Sequence, residues 1–247
     1  MKKITLTFIA GIFAFISYAG NVVHSKHSYN DDPETSEHIT YVQNNKIKAS
    51  GDGQDFIVDL NSSTITIIMH DQKEYVSGNI SELKKNVGNI ANAAMDQALA
   101  NVPEAQREQM KAMMEQMASS MTQDTEYTSN LEIKKTGTSA TIAGKKCNVY
   151  EVVEDGNLVE KIWLCENWKP YDAAKFMEAV QSIVPEVTYE STDQYLNLIG
   201  KGAILKTEDI EDGSTYVTSK IVEKNLSSDV FSIPSGYKKV DFSTLLQ

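Results

Sequence analysis

The chain has 247 residues, of which 34 are acidic and 23 are lysine or arginine, and its formal net charge at neutral pH is −11. This acidity argues against nucleic acid as a partner, because a negative field repels phosphate backbones and anionic lipid headgroups. The length suits a single domain with a sizeable core.

The first nineteen residues are typical of a cleavable export signal. Lys2 and Lys3 precede an apolar stretch over residues 4–16, and Ser17-Tyr18-Ala19 places small residues at the two positions that a signal peptidase reads. The stretch is too short to span a bilayer, and no cysteine follows it that could accept a lipid anchor. A buried helix or a retained anchor is the alternative. We predict a periplasmic protein, or a secreted one where there is no outer membrane, that does not span a membrane after cleavage.

Residues 20–37 are polar and include Asp31-Asp32-Pro33-Glu34, a composition that predicts a flexible linker. We expect residues 38–247 to form one domain. Its first elements are a strand, a turn and a hairpin, expected over 39–49, 50–53, 56–60 and 64–69.

Residues 81–122 have the spacing of a helical insertion between strands. Apolar residues recur every three or four positions from Leu83 to Val102. Asn101 and Glu104 then have the spacing of a capping box, and a second helix is expected to end near Met121.

The remainder of the chain is expected to be mostly β-strand, with two helices inserted. Pro170 begins an amphipathic helix that Pro185 ends, and a short helix is expected through Tyr195 and Leu198. Asp212-Gly213 is expected to be a hairpin turn. The expected strands cover residues 125–135, 140–153, 158–165, 203–207, 216–223 and 231–240.

Two cysteines lie on either side of a turn signal, Asp155-Gly156-Asn157. If these three residues form the loop of a hairpin, Cys147 lies opposite Cys165. The same register pairs several further residues, namely Val149 with Trp163, Glu151 with Lys161, Val153 with Val159, and Tyr150 with Ile162. We therefore predict a structural disulfide. A redox-active pair is the alternative, but the Cys-x-x-Cys spacing is missing.

Signals for catalysis and for metal binding are weak. There is no nucleophile elbow, P-loop or dinucleotide fingerprint, and His70 has no recognisable triad partner. His24, His27, Asp31 and Asp32 could form a metal site, although a solvated tail explains them as well. We predict no enzyme activity, no cofactor and no metal site.

Five methionines follow one another at spacings of three and four residues in the second predicted helix. This methionine stripe consists of Met110, Met113, Met114, Met117 and Met121. Methionine is flexible and polarisable, so the stripe suits a lid over an apolar ligand. Ordinary core packing is one alternative, and thioether binding of copper(I) is another.

Several segments together resemble the DUF4412 family, which looks related to the periplasmic lipoprotein carriers of the LolA/LolB kind. The resemblance covers roughly residues 38–240. It rests most on the Ile-Ala-Gly-x-x-Cys-x-x-Tyr pattern from Ile142 to Tyr150 and the Phe-x-x-Pro-x-Gly-Tyr pattern from Phe231 to Tyr237. Weaker segments add to it, namely 57–61, Trp163-Leu164 and 202–206.

The resemblance implies an α+β fold, in which a strongly curved antiparallel sheet forms an incomplete β-barrel and helices cover its open side. In the carriers the concave face holds acyl chains. We therefore expect a non-enzymatic periplasmic protein that binds a lipid or acyl chain. A structural or protein-interaction module without a small ligand is the alternative. A hydrolase is a third hypothesis, which no motif favours.

Overall fold

The computed structural model of the protein describes residues 20–29, 32–51, 53–82, 129–181 and 189–242. These ranges contain twelve strands, two α-helices and two short 3-10 helices. The strands are β1 (Gly20–Tyr29), β2 (Asp32–Gln43), β3 (Lys46–Gly51), β4 (Gln54–Asp59), β5 (Thr64–Met69), β6 (Glu74–Asn79), β7 (Leu131–Ile142), β8 (Lys145–Glu154), β9 (Asn157–Cys165), β10 (Ala203–Asp209), β11 (Thr215–Lys224) and β12 (Lys238–Lys239). The helices are α1 (Ala173–Gln181) and α2 (Asp193–Ile199), with 3-10 turns at Tyr189–Ser191 and Ser228–Phe231.

All twelve described strands belong to one curved, unclosed sheet, in the order β12-β6-β5-β4-β3-β2-β1-β11-β10-β9-β8-β7. Every pairing is antiparallel except that of β12 with β6. Strands β1 to β6 and strands β7 to β11 each form a run of sequential neighbours, and the two runs meet where β1 pairs with β11. The predicted curved and incompletely closed antiparallel sheet is therefore confirmed, whereas the cover of helices over its open side stays a prediction.

Three hairpins close through two-residue turns in which both residues have positive φ. The turns are Asn44-Asn45 (52° and 59°), Ala143-Gly144 (46° and 79°) and Asp155-Gly156 (49° and 84°). This left-handed backbone matches the twist of the flanking strands, and Asn, Asp and Gly tolerate it best. Two of these turns interrupt segments predicted as single strands, 39–49 and 140–153.

The prediction of a flexible linker over residues 20–37 is wrong for the residues that the structure describes there. Gly20–Tyr29 is a central strand of the sheet, paired with β2 on one side and β11 on the other. Its polar composition suggested disorder, but pairing on both sides satisfies the backbone of a polar strand as fully as that of an apolar one.

Other differences are local. The strand predicted over 231–240 is mostly irregular and keeps only Lys238–Lys239 as β12, while β6 was not anticipated. Helical conformation begins at residues 80–82, and the rest of the predicted helical insertion lies outside the described residues.

Two apolar clusters lie where α1 and α2 meet the sheet. In the first, Ala179 and Phe176 of α1 pack on β2 to β6, against residues that include Val42, Val58, Leu60 and Ile65. In the second, Leu198 and Ile199 of α2, with Met177 of α1, pack on β7 to β9, against residues that include Leu131, Val152, Ile162 and Leu164. Helix α1 thus contacts both halves of the sheet. Each aliphatic side chain that is fully buried in these clusters contributes about 1.5–3 kcal/mol to the free energy of folding.

Candidate functional site

Two cavities lie beside helix α1, and Lys175 of this helix lines the smaller one. The Lys175 ammonium donates a hydrogen bond to the carbonyl oxygen of Leu60 at 2.6 Å, which ties the helix to the turn between β4 and β5. A larger cavity of about 940 Å³ lies toward the N-terminal end of the helix, and a smaller one of about 400 Å³ lies along Lys175, Glu178 and Ala179.

Three adjacent strands form the floor of the larger cavity. Asn21 of β1 lies directly opposite Val42 of β2 and Glu223 of β11, so the three side chains share one face of the sheet. Asn21 is a buried polar residue with 9% of its surface exposed. The carboxamide therefore faces the cavity from the middle of the sheet.

Loops at one end of the sheet form the walls and rim of this cavity. Trp168 and Tyr171 come from the loop after β9, and Gly202 follows α2. Gly202 lies so close to Cys165 that a β-carbon at this position would be 2.2 Å from the Cys165 carbonyl oxygen, which only glycine avoids. Asparagines of two hairpin turns, Asn44, Asn45 and Asn61, complete the rim.

The smaller cavity combines aliphatic and polar residues. Leu60, Ile80 and Ala179 are its aliphatic lining, and Ser63, Asn79, Ser81, Lys175 and Glu178 also line it. Ile80 also packs against the first apolar cluster.

A seam of polar side chains runs along β1 and β11 between the two apolar clusters. The Tyr216 hydroxyl donates to Ser25 Oγ at 2.7 Å, and Ser25 Oγ lies 3.5 Å from Thr218 Oγ1. Ser25 and Thr218 are each 2% exposed. The centre of the sheet is therefore lined by hydrogen-bonded hydroxyls.

A buried carboxyl group, Glu160, lies on β9 beside the second apolar cluster. Burial raises the pKa of Glu160 to about 8, and the nearby carboxylate of Glu190 adds to this. The Tyr189 hydroxyl, 3.2 Å from Glu160 Oε2, is its hydrogen-bond donor. The carboxyl group is therefore neutral at pH 7 in an aromatic environment.

A half-buried carboxylate whose pKa is lowered rather than raised, Glu166, follows the second cysteine. Its Oε1 atom accepts hydrogen bonds from Lys135, Tyr150 and Asn148. These three donors, led by Lys135, lower the pKa of Glu166 to about 2. Asn148 and Tyr150 belong to the pattern from Ile142 to Tyr150, so this pattern positions a carboxylate as well as a cysteine.

The partner of His70 that sequence analysis missed is Asp55. His70 Nε2 lies 2.9 Å from Asp55 Oδ2, which also pairs with Lys48 at 2.7 Å, and His70 Nδ1 lies 2.9 Å from the Tyr237 hydroxyl. Burial opposes ionisation of Asp55, but hydrogen bonds from Lys48 and Ser50 outweigh it, and the pKa of this carboxyl lies below its usual value. The chain of contacts docks the end of the Phe231–Tyr237 pattern on the sheet.

The predicted site residues have different outcomes. A disulfide joins Cys147 to Cys165, as predicted, and the register holds from Asn148–Leu164 to Val152–Glu160. A bulge then pairs Val153 with Leu158 instead of Val159, because the turn has two residues rather than three. All five residues of the methionine stripe, Met110, Met113, Met114, Met117 and Met121, lie outside the described residues.

The four residues considered from the sequence as a metal site do not come together in the described part of the chain. His24 and His27 are in strand β1, Asp31 lies outside the described residues, and no grouping of three or more described His, Cys, Asp or Glu side chains suits a metal ion. Asn21 was not predicted as a site residue, because it lies in the segment that was predicted to be a linker. The adjacent β-branched pair, Val22-Val23, is the signal that could have identified a strand there.

The family model described as domain of unknown function (DUF4412) matches residues 90–237. This range is shorter at its N-terminal end than the predicted resemblance over 38–240. A comparison with curated proteins finds no match. Among the described residues, no helix has the length and apolar composition needed to cross a membrane.

Several solved structures are similar to this chain at low identity. A structure of PNGF-II in a C2 crystal form is 11% identical with a TM-score of 0.43, and the match covers 92% of this chain but only 32% of that one. MucB in complex with MucA(peri) is 11% identical with a TM-score of 0.34, covering 88% and 55% of the two chains. A structure described as an outer membrane lipoprotein-sorting protein domain from Vibrio parahaemolyticus is 10% identical with a TM-score of 0.31, covering 88% and 91%. The chain thus spans about a third of the PNGF-II structure.

Proposed function

The chain belongs to the DUF4412 family, and we propose that this member is a non-enzymatic, exported periplasmic protein that binds an apolar ligand such as a lipid or acyl chain. The observation that carries the proposal is the smaller cavity, lined by Leu60, Ile80 and Ala179. Its volume of about 400 Å³ lies within the usual range for small-molecule sites, about 300–1,000 Å³.

The charges around this cavity also support an apolar occupant. The ammonium of Lys175 is held by the Leu60 carbonyl oxygen, so the aliphatic stem of the lysine is what remains to contact a ligand. Burying a hydrocarbon against such a surface contributes about 25 cal/mol per Å² of apolar area removed from water.

Our proposal extends to the arrangement expected of a LolA-like carrier. The curved sheet would serve as the cup, with helices over its open side, and the methionine stripe from Met110 to Met121 would be the lid. A flexible methionine surface can adapt to acyl chains of different length.

Binding of a fluorescently labelled fatty acid to the protein lacking residues 1–19 tests the proposal, together with native mass spectrometry of protein purified without detergent. We expect a co-purifying lipid and saturable binding. Ile80→Ser should weaken binding roughly tenfold, because it removes apolar contact from the cavity.

Ile210→Ser is the matched control, since Ile210 is an exposed isoleucine, 40% accessible, that does not line the cavity. Equal binding by the Ile80 and Ile210 variants would remove the smaller cavity from the proposal. A protein that carries no lipid and binds no fatty acid would contradict the function itself.

The lid is tested separately with Met113→Ser and Met117→Ser. A lid predicts weaker fatty-acid binding in both variants. If the protein is instead a structural or protein-interaction module, the two substitutions will lower its stability without changing any ligand affinity.

A further inference from the structure

The larger cavity contains a buried polar side chain to which the described residues supply no hydrogen-bond partner. Asn21 is 9% exposed, and among the residues that the structure describes its carboxamide makes no hydrogen bond. A buried polar group left in this state costs about 1–3 kcal/mol, so its retention at the cavity floor calls for a ligand group that completes its hydrogen bonds.

A second polar group of the same cavity is also unused. The Tyr171 phenol has no hydrogen-bond partner within the described ranges, and its ring packs edge-on against Phe176 at 5.6 Å. Burial, with a smaller effect of Tyr216, raises the pKa of Tyr171 to about 12, so the phenol is neutral. A neutral phenol can both donate and accept a hydrogen bond, as the carboxamide of Asn21 can.

The charged residues that line the larger cavity are already engaged. Glu223 pairs with Lys145 at 2.7 Å, and Lys169 donates to the Gly200 carbonyl oxygen at 2.8 Å. Asp172 accepts the backbone N–H of Lys175 at the start of α1. An ionic ligand would compete with these contacts, whereas a neutral ligand leaves them intact.

The two central strands of the floor offer no free backbone to a peptide. Strands β1 and β2 are each paired on both sides, whereas β11 is paired with β1 along the floor and with β10 only over residues 215–217. The polar groups that the described residues leave without a partner are the Asn21 carboxamide and the Tyr171 phenol, and the rings of Trp168 and Tyr171 line the same cavity. The rim asparagines already bond to one another, through Asn61 Nδ2 to the Asn44 carbonyl oxygen and Asn45 Nδ2 to Asn61 Oδ1. Hydroxyl groups that both donate and accept, on a ring with an apolar face, match this set.

We propose that the larger cavity binds a neutral sugar, whose hydroxyls hydrogen-bond to Asn21 and Tyr171. This goes beyond the apolar site, because the two cavities have no lining residue in common. The sugar can be free or the headgroup of a glycolipid, and the recognition chemistry is the same for both.

Isothermal titration with glucose, galactose, N-acetylglucosamine, maltose and lactose tests the free form. Co-sedimentation with phosphatidylcholine vesicles, with and without a galactosyl diacylglycerol, tests the headgroup form. Binding to at least one free sugar, or to the glycolipid vesicles above the plain ones, supports the site and identifies the source. No binding in either arm overturns it.

Variants then connect binding to the cavity. Asn21→Leu should reduce sugar affinity at least tenfold without lowering the melting temperature, because it removes an unpaired polar group from a buried position. Tyr171→Phe should weaken binding with equally little effect on the free protein. Asn197→Leu, at an exposed position on α2, should bind as the wild type does.

Sugar binding that is unchanged in the Asn21 variant overturns the assignment. A melting temperature that falls sharply in Asn21→Leu, with affinity reduced in proportion to the folded fraction, also overturns it. Fatty-acid binding by the same variant should remain at the wild-type level, which keeps this test independent of the apolar site.

Discussion

At the scale of single residues, Glu160 is a carboxyl group held in a buried environment that disfavours its charged form. The residue is 6% exposed, and Tyr189 and Tyr195 of the adjoining helical segment lie nearby. Burial raises the pKa values of both phenols, and the negative charge that Glu160 carries when ionised raises them further. Glu190 and Asp209 add negative charge around it. Because ionisation would place a further charge in this environment, the folded protein favours the protonated carboxyl group.

This environment predicts a stability that depends on pH. The pKa of Glu160 is raised from 4.5 to about 8 in the folded protein, so the stabilisation is complete below pH 4.5 and is lost as the pH rises through 8. Glu160→Gln should flatten this dependence. At the alkaline end, we expect the loss in free energy of unfolding that the variant avoids to be on the order of 3–5 kcal/mol. Urea unfolding between pH 5 and 9 measures it.

Glu132→Gln, at an exposed position on β7, is the control and should follow the wild-type curve. Identical pH profiles for wild type and Glu160→Gln would show that the buried carboxyl group is ionised in the folded state.

Among elements, the β8–β9 hairpin is defined by its turn and its disulfide together. The two-residue turn Asp155-Gly156 sets the register of the last pairs, and a bulge between Val152 and Val153 restores the register that brings Cys147 to Cys165. Because of the bulge, Val159 of β9 has no paired residue on β8. The Val159 carbonyl oxygen accepts the N–H of Ile210 at 2.9 Å.

Removing the disulfide should therefore lower stability without changing the fold. The bridge closes a loop with a sequence separation of 18, for which the chain-entropy model gives about 3 kcal/mol. We expect Cys147→Ser with Cys165→Ser to lower the free energy of unfolding by that amount in urea denaturation. The reduced wild type should match the double variant, and a denaturation midpoint that does not move would contradict the prediction.

The C-terminal segment is held to the sheet by several side chains and a short parallel ladder, with Val240 and Phe242 packed against the first apolar cluster. Tyr237 contacts His70, while the N–H groups of Lys238 and Val240 donate to the Lys73 and Tyr75 carbonyl oxygens. The segment therefore covers the β6 edge, which a free strand would otherwise expose to intermolecular pairing.

Tyr237→Phe tests this docking. Loss of one hydrogen bond should cost about 1 kcal/mol and should speed amide hydrogen exchange at Lys238 and Val240 more than in β4 or β5. Tyr41→Phe on β2 is the control, because the Tyr41 hydroxyl makes no hydrogen bond within the described portion of the chain. Uniform exchange rates in the Tyr237 variant would assign the docking to the ladder and to the packing of Val240 and Phe242.

At the scale of the whole molecule, β1 joins the two halves of the sheet. Strands β2 to β6 lie on one side of it and β11 to β7 on the other, and no other pair of described strands connects the two runs. Because contacts such as Ser25–Thr218 join residues 193 positions apart, the sheet becomes continuous only when both halves are present.

Truncation tests this role directly. A protein of residues 38–247 should lose cooperative thermal unfolding, whereas residues 20–247 should unfold in one transition, because only the longer chain contains β1. Circular dichroism and limited proteolysis measure the difference. Equal melting of the two proteins would mean that β1 is dispensable, as a flexible linker would be.

The sequence alone was sufficient for the features that depend on near neighbours. The bridged cysteines, the pairing of Tyr150 with Ile162 and the short helix through Tyr195 and Leu198 were predicted because turn residues and side-chain periodicity act over a few positions. The place of β1, the exposure of Asn21 to a cavity and the contact of Asp55 and Tyr237 with His70 required the folded chain. A polar segment becomes a central strand only when distant strands pair with its backbone, and no local pattern records which partners will be there.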